Sequence, residues 1–181
     1  MALYFSKLCY FCDYYACIAN IFKMYLKEFE IRWSDLDANR HLANSAYLNF
    51  MSHTRMAFLL EMGFDQGTMA KLGIGPVVFY EHMYYFREVF PGKPVQVSLE
   101  LLGLSEDGKF FAFQHNFYDA KGRNVAHCEM MGGWIGMEAR SLVSLPDFLL
   151  QKFLFVEKAE GFKVLTKEDT RKFAKTPKDL V

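Results

Sequence analysis

The chain has 181 residues, of which 52% are hydrophobic and 17% aromatic, so it is long enough for one domain with a substantial core and too apolar for a disordered protein. Lys plus Arg and Asp plus Glu both number 21, and this balance provides no overall positive field for nucleic acid or anionic lipid. We therefore expect one folded domain with no nucleic-acid partner.

Cysteine usage argues against a metal centre. Of Cys9, Cys12, Cys17 and Cys128, only the first two form a CxxC pair, and a zinc site would need a second pair of ligands at matching spacing. Small apolar cysteines are typical of a reducing compartment. We expect a cytoplasmic protein that needs neither a metal nor another cofactor.

Residues 1–23 are apolar and aromatic but carry Lys7, Asp13 and Lys23. The stretch between the two lysines is shorter than the roughly 20 apolar residues of a membrane span, and the segment lacks the unbroken apolar centre of a secretory signal. Three alternatives remain open: an anchor in weak peripheral contact with a membrane, a helix packed on the domain, or a leader translated upstream of a natural start at Met24.

The first predicted elements are a strand and a long helix. Apolar and charged residues alternate along residues 25–33, which predicts a strand whose buried face includes Trp33. Apolar residues then recur every three or four positions over residues 45–62, which predicts a helix, and Gly63 suits a left-handed helix cap.

The rest of the domain predicts a sheet. Glycines over residues 63–76 indicate a loop with one helical turn near residues 66–72. Four strands rich in β-branched and aromatic residues follow, at residues 77–90, 94–104, 109–118 and 124–137. Together with the first strand they form an antiparallel sheet of five strands or more, which buries its apolar face if it curls around the long helix. The predicted fold class is α+β.

We assign residues 24–138 to this domain and residues 139–181 to a C-terminal extension. In the extension, the apolar stretch after Pro146 predicts a short helix, and the basic end is expected to be solvated. Gly132, Gly133 and Gly136 in the last predicted strand indicate a bend or a close backbone approach.

A cluster of polar residues separates the first strand from the long helix: Asp35, Asp37, Asn39, His41 and Asn44. A helix start leaves backbone N–H groups without partners, and near Asn44 these would face a carbonyl oxygen that becomes negative. A carboxylate beside them can activate water or attack directly, which is sufficient for acyl transfer. One of the aspartates could cap the helix, but a single cap does not account for the whole cluster.

The segment SDLDANRHLANSAYLNF resembles the signature of hotdog-fold acyl thioesterases. That family includes 4-hydroxybenzoyl-CoA thioesterases, acyl-CoA thioesterases of the bacterial tol-pal cluster and plant acyl-ACP thioesterases, and the DxDxNxH and NxxYL patterns are most similar to the plant enzymes. The resemblance implies a hotdog fold and hydrolysis of a thioester carried on CoA or on acyl carrier protein. Ala38 and Arg40 stand where the hydroxybenzoyl enzymes have Pro and Gly, so their substrate is not carried over.

The resemblance also implies roles for residues of the motif. Asp37 corresponds to the catalytic carboxylate, as base or nucleophile, and Asn39 and His41 correspond to the catalytic Asn and His of the plant enzymes. YFRE is similar to a plant segment with a further catalytic Glu, which gives Glu88, although an ion pair between Glu88 and Arg87 or a solvated strand end explains it equally well.

Substrate contacts are expected from the first turn of the helix. Backbone N–H groups near Asn44 and Ser45 would bind the thioester oxygen, and Tyr47 belongs to the NxxYL part of the motif. The edge of such a sheet invites pairing with a second copy, and family members pair in this way with active sites at the subunit boundary. We expect a homodimer or homotetramer.

Two other functions remain open. Hotdog hydratases and dehydratases of enoyl-CoA also use an Asp and a His, but in a DxNxxH pattern that is one residue longer than the spacing from Asp37 to His41. A non-catalytic acyl-binding or scaffold protein, docked on a membrane or a partner through residues 1–23, is the alternative from a different class.

Overall fold

The computed structural model describes residues 24–154 and 156–180. The prediction for residues 1–23 lies outside the described residues. Within the described part of the chain, no helix is both long and apolar enough to cross a bilayer.

The described residues form one mixed sheet and three α-helices. The helices are α1 (Asn44–Glu61), α2 (Gln66–Leu72) and α3 (Asp147–Leu154). The strands are β1 (Tyr25–Phe29), β2 (Ile74–Tyr85), β3 (Val95–Leu104), β4 (Phe110–Tyr118), β5 (Asn124–Gly136) and β6 (Lys158–Val164). The main path through the sheet is β1-β3-β4-β5-β2, with every pair antiparallel, and β6 lies parallel to β3.

Helix α1 packs against the concave face of this sheet. Its spacing of three and four residues places one stripe in the core: Ala46, Tyr47, Phe50, Met51, Thr54, Phe58 and Leu59 are buried. Alternate residues of β3 face the same side, and Val95, Val97, Leu99 and Leu101 are at most 1% exposed. An antiparallel sheet curled around a long helix is the hotdog fold, so the predicted α+β class and fold are confirmed.

The close contact between β2 and β5 requires glycine at one position. A Cβ on Gly132 would lie 2.5 Å from the Val77 carbonyl oxygen and 2.8 Å from Cζ of Phe111. Any side chain there would push β2 away from its neighbour. The predicted close backbone approach is therefore confirmed at Gly132.

The boundaries of two strands differ from the predictions. Strand β1 ends at Phe29, and the chain turns into a short 3-10 helix at Trp33–Asp35. Trp33 is 88% exposed, so its predicted place on a buried strand face is wrong. Strand β2 starts at Ile74 and ends at Tyr85, and the residues beyond it form a loop beside the start of α1.

The C-terminal residues add a strand that the sequence did not predict. The short helix is present as α3, and β6 follows it and pairs with β3 from Leu101 to Leu104. Strand β1 pairs with the first half of the same edge, from Val95 to Leu99. Both ends of the described chain therefore cover one edge of the sheet, and β2 stays at the other edge.

Candidate active site

The first aspartate of the DxD pair is held by Arg32. Oδ2 of Asp35 accepts hydrogen bonds from the Arg32 backbone N–H at 2.8 Å and from Nε at 3.1 Å, and Oδ1 accepts one from Nη2 at 3.0 Å. These bonds hold the pKa of the buried Asp35 carboxyl below its ordinary value. Its backbone carbonyl also accepts the Ala43 N–H at 2.8 Å. Asp35 therefore fixes the loop before α1, with both carboxylate oxygens bonded to Arg32 and the residue buried.

The second aspartate closes a tight loop through one oxygen. Oδ1 of Asp37 accepts the backbone N–H groups of Asn39 at 2.8 Å and His41 at 3.0 Å. The main chain of Asp37 also bonds His41, N–H to carbonyl, at 2.9 Å. Oδ2 accepts no hydrogen bond from the described residues. The carboxylate is thus fixed in place with one oxygen free for chemistry.

The start of α1 has a free backbone donor. Ala43, at the N-cap position, offers no side-chain acceptor, and the Asn44 N–H has no acceptor among the residues described. The Ser45 N–H instead meets Oδ1 of Asn44 at 2.8 Å. Of the two predicted donors, that of Asn44 remains free and that of Ser45 is occupied by a neighbouring side chain.

His41 lies between a carboxylate and an aromatic ring. Its Nδ1 is 3.9 Å from Oε1 of Glu88, which is too long for a hydrogen bond but close enough for attraction when the imidazole is protonated. The Phe90 ring packs against the imidazole in a T-shaped arrangement, with centroids 4.8 Å apart. Only 25% of the His41 side chain is exposed, against 67% of Glu88. The histidine is therefore confined, and its carboxylate partner stays in contact with solvent.

Tyr47 on α1 and Tyr85 on β2 form an aromatic side of the site. Their rings meet edge to face with centroids 5.2 Å apart, and Tyr47 also packs on Phe117 at 4.9 Å. Burial raises the pKa of Tyr47 to about 12, with a smaller contribution from Tyr85. The Tyr47 hydroxyl therefore keeps its proton at neutral pH and can donate a hydrogen bond.

These side chains surround an open cavity of about 400 Å³. The structure brings Asp37, His41, Asn44, Tyr47 and Glu88 of the predicted site residues to this cavity. It does not bring Asn39 or Ser45 into the lining, and both are exposed beside it. The other lining residues are Leu42, Tyr85, Phe86, Arg87 and Val89.

Main-chain hydrogen bonds hold the two halves of the cavity together. The Leu42 N–H donates to the Val89 carbonyl at 2.8 Å, and the N–H groups of Phe86 and Arg87 donate to the Val125 carbonyl at 2.9 and 3.1 Å. The loop after β2 is therefore attached both to the polar loop before α1 and to β5. Glu88 owes its position opposite His41 to these bonds.

The sequence did not identify Tyr85 and Arg87 as site residues. Tyr85 could have been predicted from the alternation along β2. Every second residue of this strand faces the helix, and Tyr85 follows Glu81 and Met83 in that series. Arg87 could not have been predicted from local sequence, because only the contact between two loops brings it to the cavity. Among the described residues, no group of three or more His, Cys, Asp and Glu side chains is arranged to hold a metal ion.

Family membership follows from the sequence around this site. The sequence model of the thioesterase-like superfamily matches residues 31–153, a span that includes α1, β2 to β5 and every residue of the cavity lining. The chain therefore belongs to the thioesterase-like superfamily, and the predicted family resemblance is confirmed. Among proteins with curated functions, none matches the chain.

Solved structures share the fold at low sequence identity. A Staphylococcus aureus protein in complex with CoA has a TM-score of 0.70 and 15% identity, over 86% of this chain and 96% of that one. A 1,4-dihydroxy-2-naphthoyl-CoA thioesterase from Synechocystis has a TM-score of 0.65 and 13% identity, over 73% and 96%. A DHNA-CoA thioesterase from Staphylococcus aureus has a TM-score of 0.65 and 17% identity, over 73% and 87%. At these identities the likeness establishes the common fold.

Proposed function

We propose that this protein is a thioester hydrolase that acts on an acyl group carried by CoA or acyl carrier protein. The observation that carries the proposal is that two residues lining one cavity each keep a polar group without a hydrogen-bond partner among the described residues: Oδ2 of Asp37 and the backbone N–H of Asn44. Membership in the thioesterase-like superfamily supports the same reaction class.

The proposed chemistry uses Asp37 in one of two ways. As a base, its carboxylate takes a proton from water while the water oxygen bonds to the thioester carbonyl carbon. As a nucleophile, it bonds to that carbon itself and forms an anhydride that water then hydrolyses. In both routes the C–S bond breaks, the thiolate leaves and takes up a proton, and the products are a free acid and a thiol.

The start of α1 stabilises the charge that develops on the carbonyl oxygen. The free Asn44 N–H and the positive end of the helix dipole favour a negative oxygen at this position. His41 is the group that can return a proton to the sulfur, and the Glu88 carboxylate lies 3.9 Å from its Nδ1. Tyr47 and Tyr85 form an apolar wall suited to the acyl group.

We also propose that the protein is a homodimer. Strand β2 is at the edge of the sheet and pairs only with β5 among the described strands. Val78 and Phe79 on this strand are 49% and 36% exposed, and an apolar edge with free backbone groups favours pairing with a second copy. The pairing would place a partner subunit beside Tyr85, at the rim of the cavity.

The substitution Asp37→Asn tests the proposal. The amide oxygen of Asn can still accept the two N–H groups of the loop, so the fold is retained while the acid function is removed. We expect the wild-type protein to hydrolyse at least one substrate in a panel of short, long and aryl acyl-CoA thioesters. The variant should lose about 100-fold or more in kcat, as expected for loss of a general base.

The control is Asp65→Asn, which makes the same chemical change at the N-cap of α2. It should keep wild-type activity. Equal turnover by the wild-type protein and the Asp37 variant would contradict the assignment. Hydration of an enoyl-CoA without thioester hydrolysis would favour a hydratase, and acyl-CoA binding without turnover would favour a binding protein.

A further inference from the structure

A second cavity of about 350 Å³ adjoins the candidate active site. The two cavities share Glu88 and Val89, so they lie next to each other on the loop that follows β2. The second cavity is formed by this loop and by the turn between β4 and β5. It takes no part in the chemistry described above.

Cationic side chains surround this second cavity. Lys93 comes from the loop after β2, and Lys121 and Arg123 come from the turn between β4 and β5. Neither lysine forms an ion pair with a carboxylate among the described residues. Lys93 also lines a further cavity that includes Glu30. Three cations therefore meet at one place in a chain whose formal net charge is zero.

The acidic groups near these cations are few and mostly occupied. Asp119 accepts Nε of Arg123 at 2.8 Å and the backbone N–H groups of Lys121 at 2.9 Å and Arg123 at 3.0 Å. The bonds from Arg123 lower the pKa of Asp119 to about 2. Glu88 lies at the boundary with the active site, where it faces His41. The part of the cavity away from Glu88 therefore keeps a positive surplus from the two lysines.

The walls of the cavity offer flat apolar surfaces as well. Phe90 is 56% exposed, lines the second cavity and packs against His41, so it lies between the two sites. Pro91 and Pro94 line the same cavity. An exposed aromatic ring beside cations suits a nucleobase that carries phosphates, since bases stack on aromatic rings and phosphates pair with lysine.

The chain that joins the two sites is short enough for one substrate to reach both. Glu88 and Lys93 are five residues apart in sequence, and five residues of extended chain span at most about 18 Å. The pantetheine arm of CoA, which separates the thioester from the nucleotide phosphates, is a chain of similar length. A thioester beside Asp37 can therefore place its nucleotide at the second cavity.

We propose that Lys93, Lys121 and Arg123 form a binding subsite for the phosphorylated nucleotide of CoA, which makes free acyl-CoA the substrate rather than acyl carrier protein. The inference rests on the proposed thioesterase function and adds the choice of carrier. The lysines act on binding and take no part in the chemical step.

The test compares one acyl group on four carriers: CoA, dephospho-CoA, pantetheine and acyl carrier protein. The wild-type protein should have its lowest KM for acyl-CoA. In the double variant Lys93→Ala and Lys121→Ala, KM for acyl-CoA should rise about tenfold, because hydrogen bonds to charged phosphates are lost, while kcat is retained. KM for acyl-pantetheine, which has no nucleotide, should stay the same. The KM for acyl-CoA should also become less sensitive to salt.

The matched control removes the same charge elsewhere, through Lys71→Ala and Lys175→Ala. Both lysines are exposed and neither lines the two cavities. This control should behave as wild type with every carrier. An equal rise of KM for acyl-CoA and acyl-pantetheine, or the same rise in the control, would overturn the subsite. Preference for acyl carrier protein that survives the loss of both lysines would also overturn it.

A binding measurement keeps this inference separate from the proposed activity. Calorimetric titration should show that CoA binds the wild-type protein more tightly than pantetheine does, and that the Lys93 and Lys121 double variant loses this difference. If the wild-type protein hydrolyses no thioester but shows this pattern, the activity proposal fails and the subsite stands. If CoA binds no better than pantetheine, the subsite fails whatever the activity.

Discussion

His41 and Glu88 face one another across the candidate active site, with 3.9 Å between Nδ1 and Oε1. They come from two loops, one before α1 and one after β2, which the Leu42 to Val89 main-chain hydrogen bond holds together. Neither residue has another ion-pair partner among the described residues. The two side chains therefore come close to each other only when the protein is folded.

We predict that Glu88 acts through His41. The substitution Glu88→Gln should lower kcat about tenfold, because it removes the carboxylate charge that faces the imidazole during proton transfer, and should leave KM unchanged. In a background that carries His41→Ala, the same substitution should have no further effect, because coupled residues are not additive. Steady-state kinetics of the four proteins measures the coupling. Full additivity would show that Glu88 works independently, and Glu106→Gln, in an exposed turn, serves as the control.

The two aspartates of the DxD pair should differ in stability. Asp35→Asn loses charge-assisted hydrogen bonds from Arg32 and should cost about 1–3 kcal/mol of unfolding free energy. Asp37→Asn keeps its two loop hydrogen bonds through the amide oxygen and should cost little. Urea denaturation of both variants measures the difference. Equal losses would mean that the carboxylate charge of Asp37 is also needed to hold the loop.

Stability should fall in mild acid because of a buried histidine. His115 donates from Nδ1 to the Ser98 carbonyl at 2.7 Å and is 0% exposed. Burial lowers its pKa from 6.5 to about 3, with a smaller effect from Arg55. Below pH 6.5 the unfolded chain binds a proton at this residue and the folded chain does not, so stability is lost as pH falls toward about 3, at up to about 1.4 kcal/mol per pH unit.

The substitution His115→Gln should flatten this acid dependence, because glutamine cannot take up a proton. Urea denaturation at a series of pH values from about 7 to about 5 measures the slope above the range in which carboxyl groups titrate. The slope is the readout, so a general loss of stability in the variant does not obscure it. His53→Gln, at an exposed position of α1, should keep the wild-type slope. An unchanged slope in the His115 variant would contradict the assignment.

The edge of the sheet at β2 should carry the dimer. A lysine in place of Val78 would put a charge on this apolar edge and should convert the dimer to a monomer. Leu60→Lys, on α1, changes an equally exposed apolar residue, at 51% against 49% for Val78, and should leave the dimer intact. Light scattering after gel filtration gives the masses. A dimer that survives the Val78 substitution would place the interface elsewhere.

Periodicity was sufficient to predict the central part of the fold. The repeat of three and four residues in α1 and the alternation along β3 each record which face is buried, so their positions could be predicted from local sequence. The cluster around Asp37 was also recognisable, because it lies within one short loop. The free Asn44 N–H follows from its place at the start of a helix.

The features that were missed depend on contacts between distant segments. Strand β6 is a strand because it pairs with β3, and its own residues alternate only weakly, with Ala159 as its one buried side chain. Trp33 follows the alternation of a strand, but the hydrogen bonds from Arg32 to Asp35 turn the chain first. The cations of the second cavity come from two turns, so no single stretch of sequence appears basic.

The loop that holds Asp37 is fixed by main-chain groups and by the aspartate itself. The side chains of Ala38, Asn39 and Arg40 make none of the hydrogen bonds that set its shape. Positions 38 and 39 can therefore exchange side chains during evolution while the acid stays in register with the helix start, whereas position 40 is restricted by its positive φ of 63°. Because neither position 38 nor position 39 lines the cavity, divergence there would leave both the acid and the shape of the cavity unchanged.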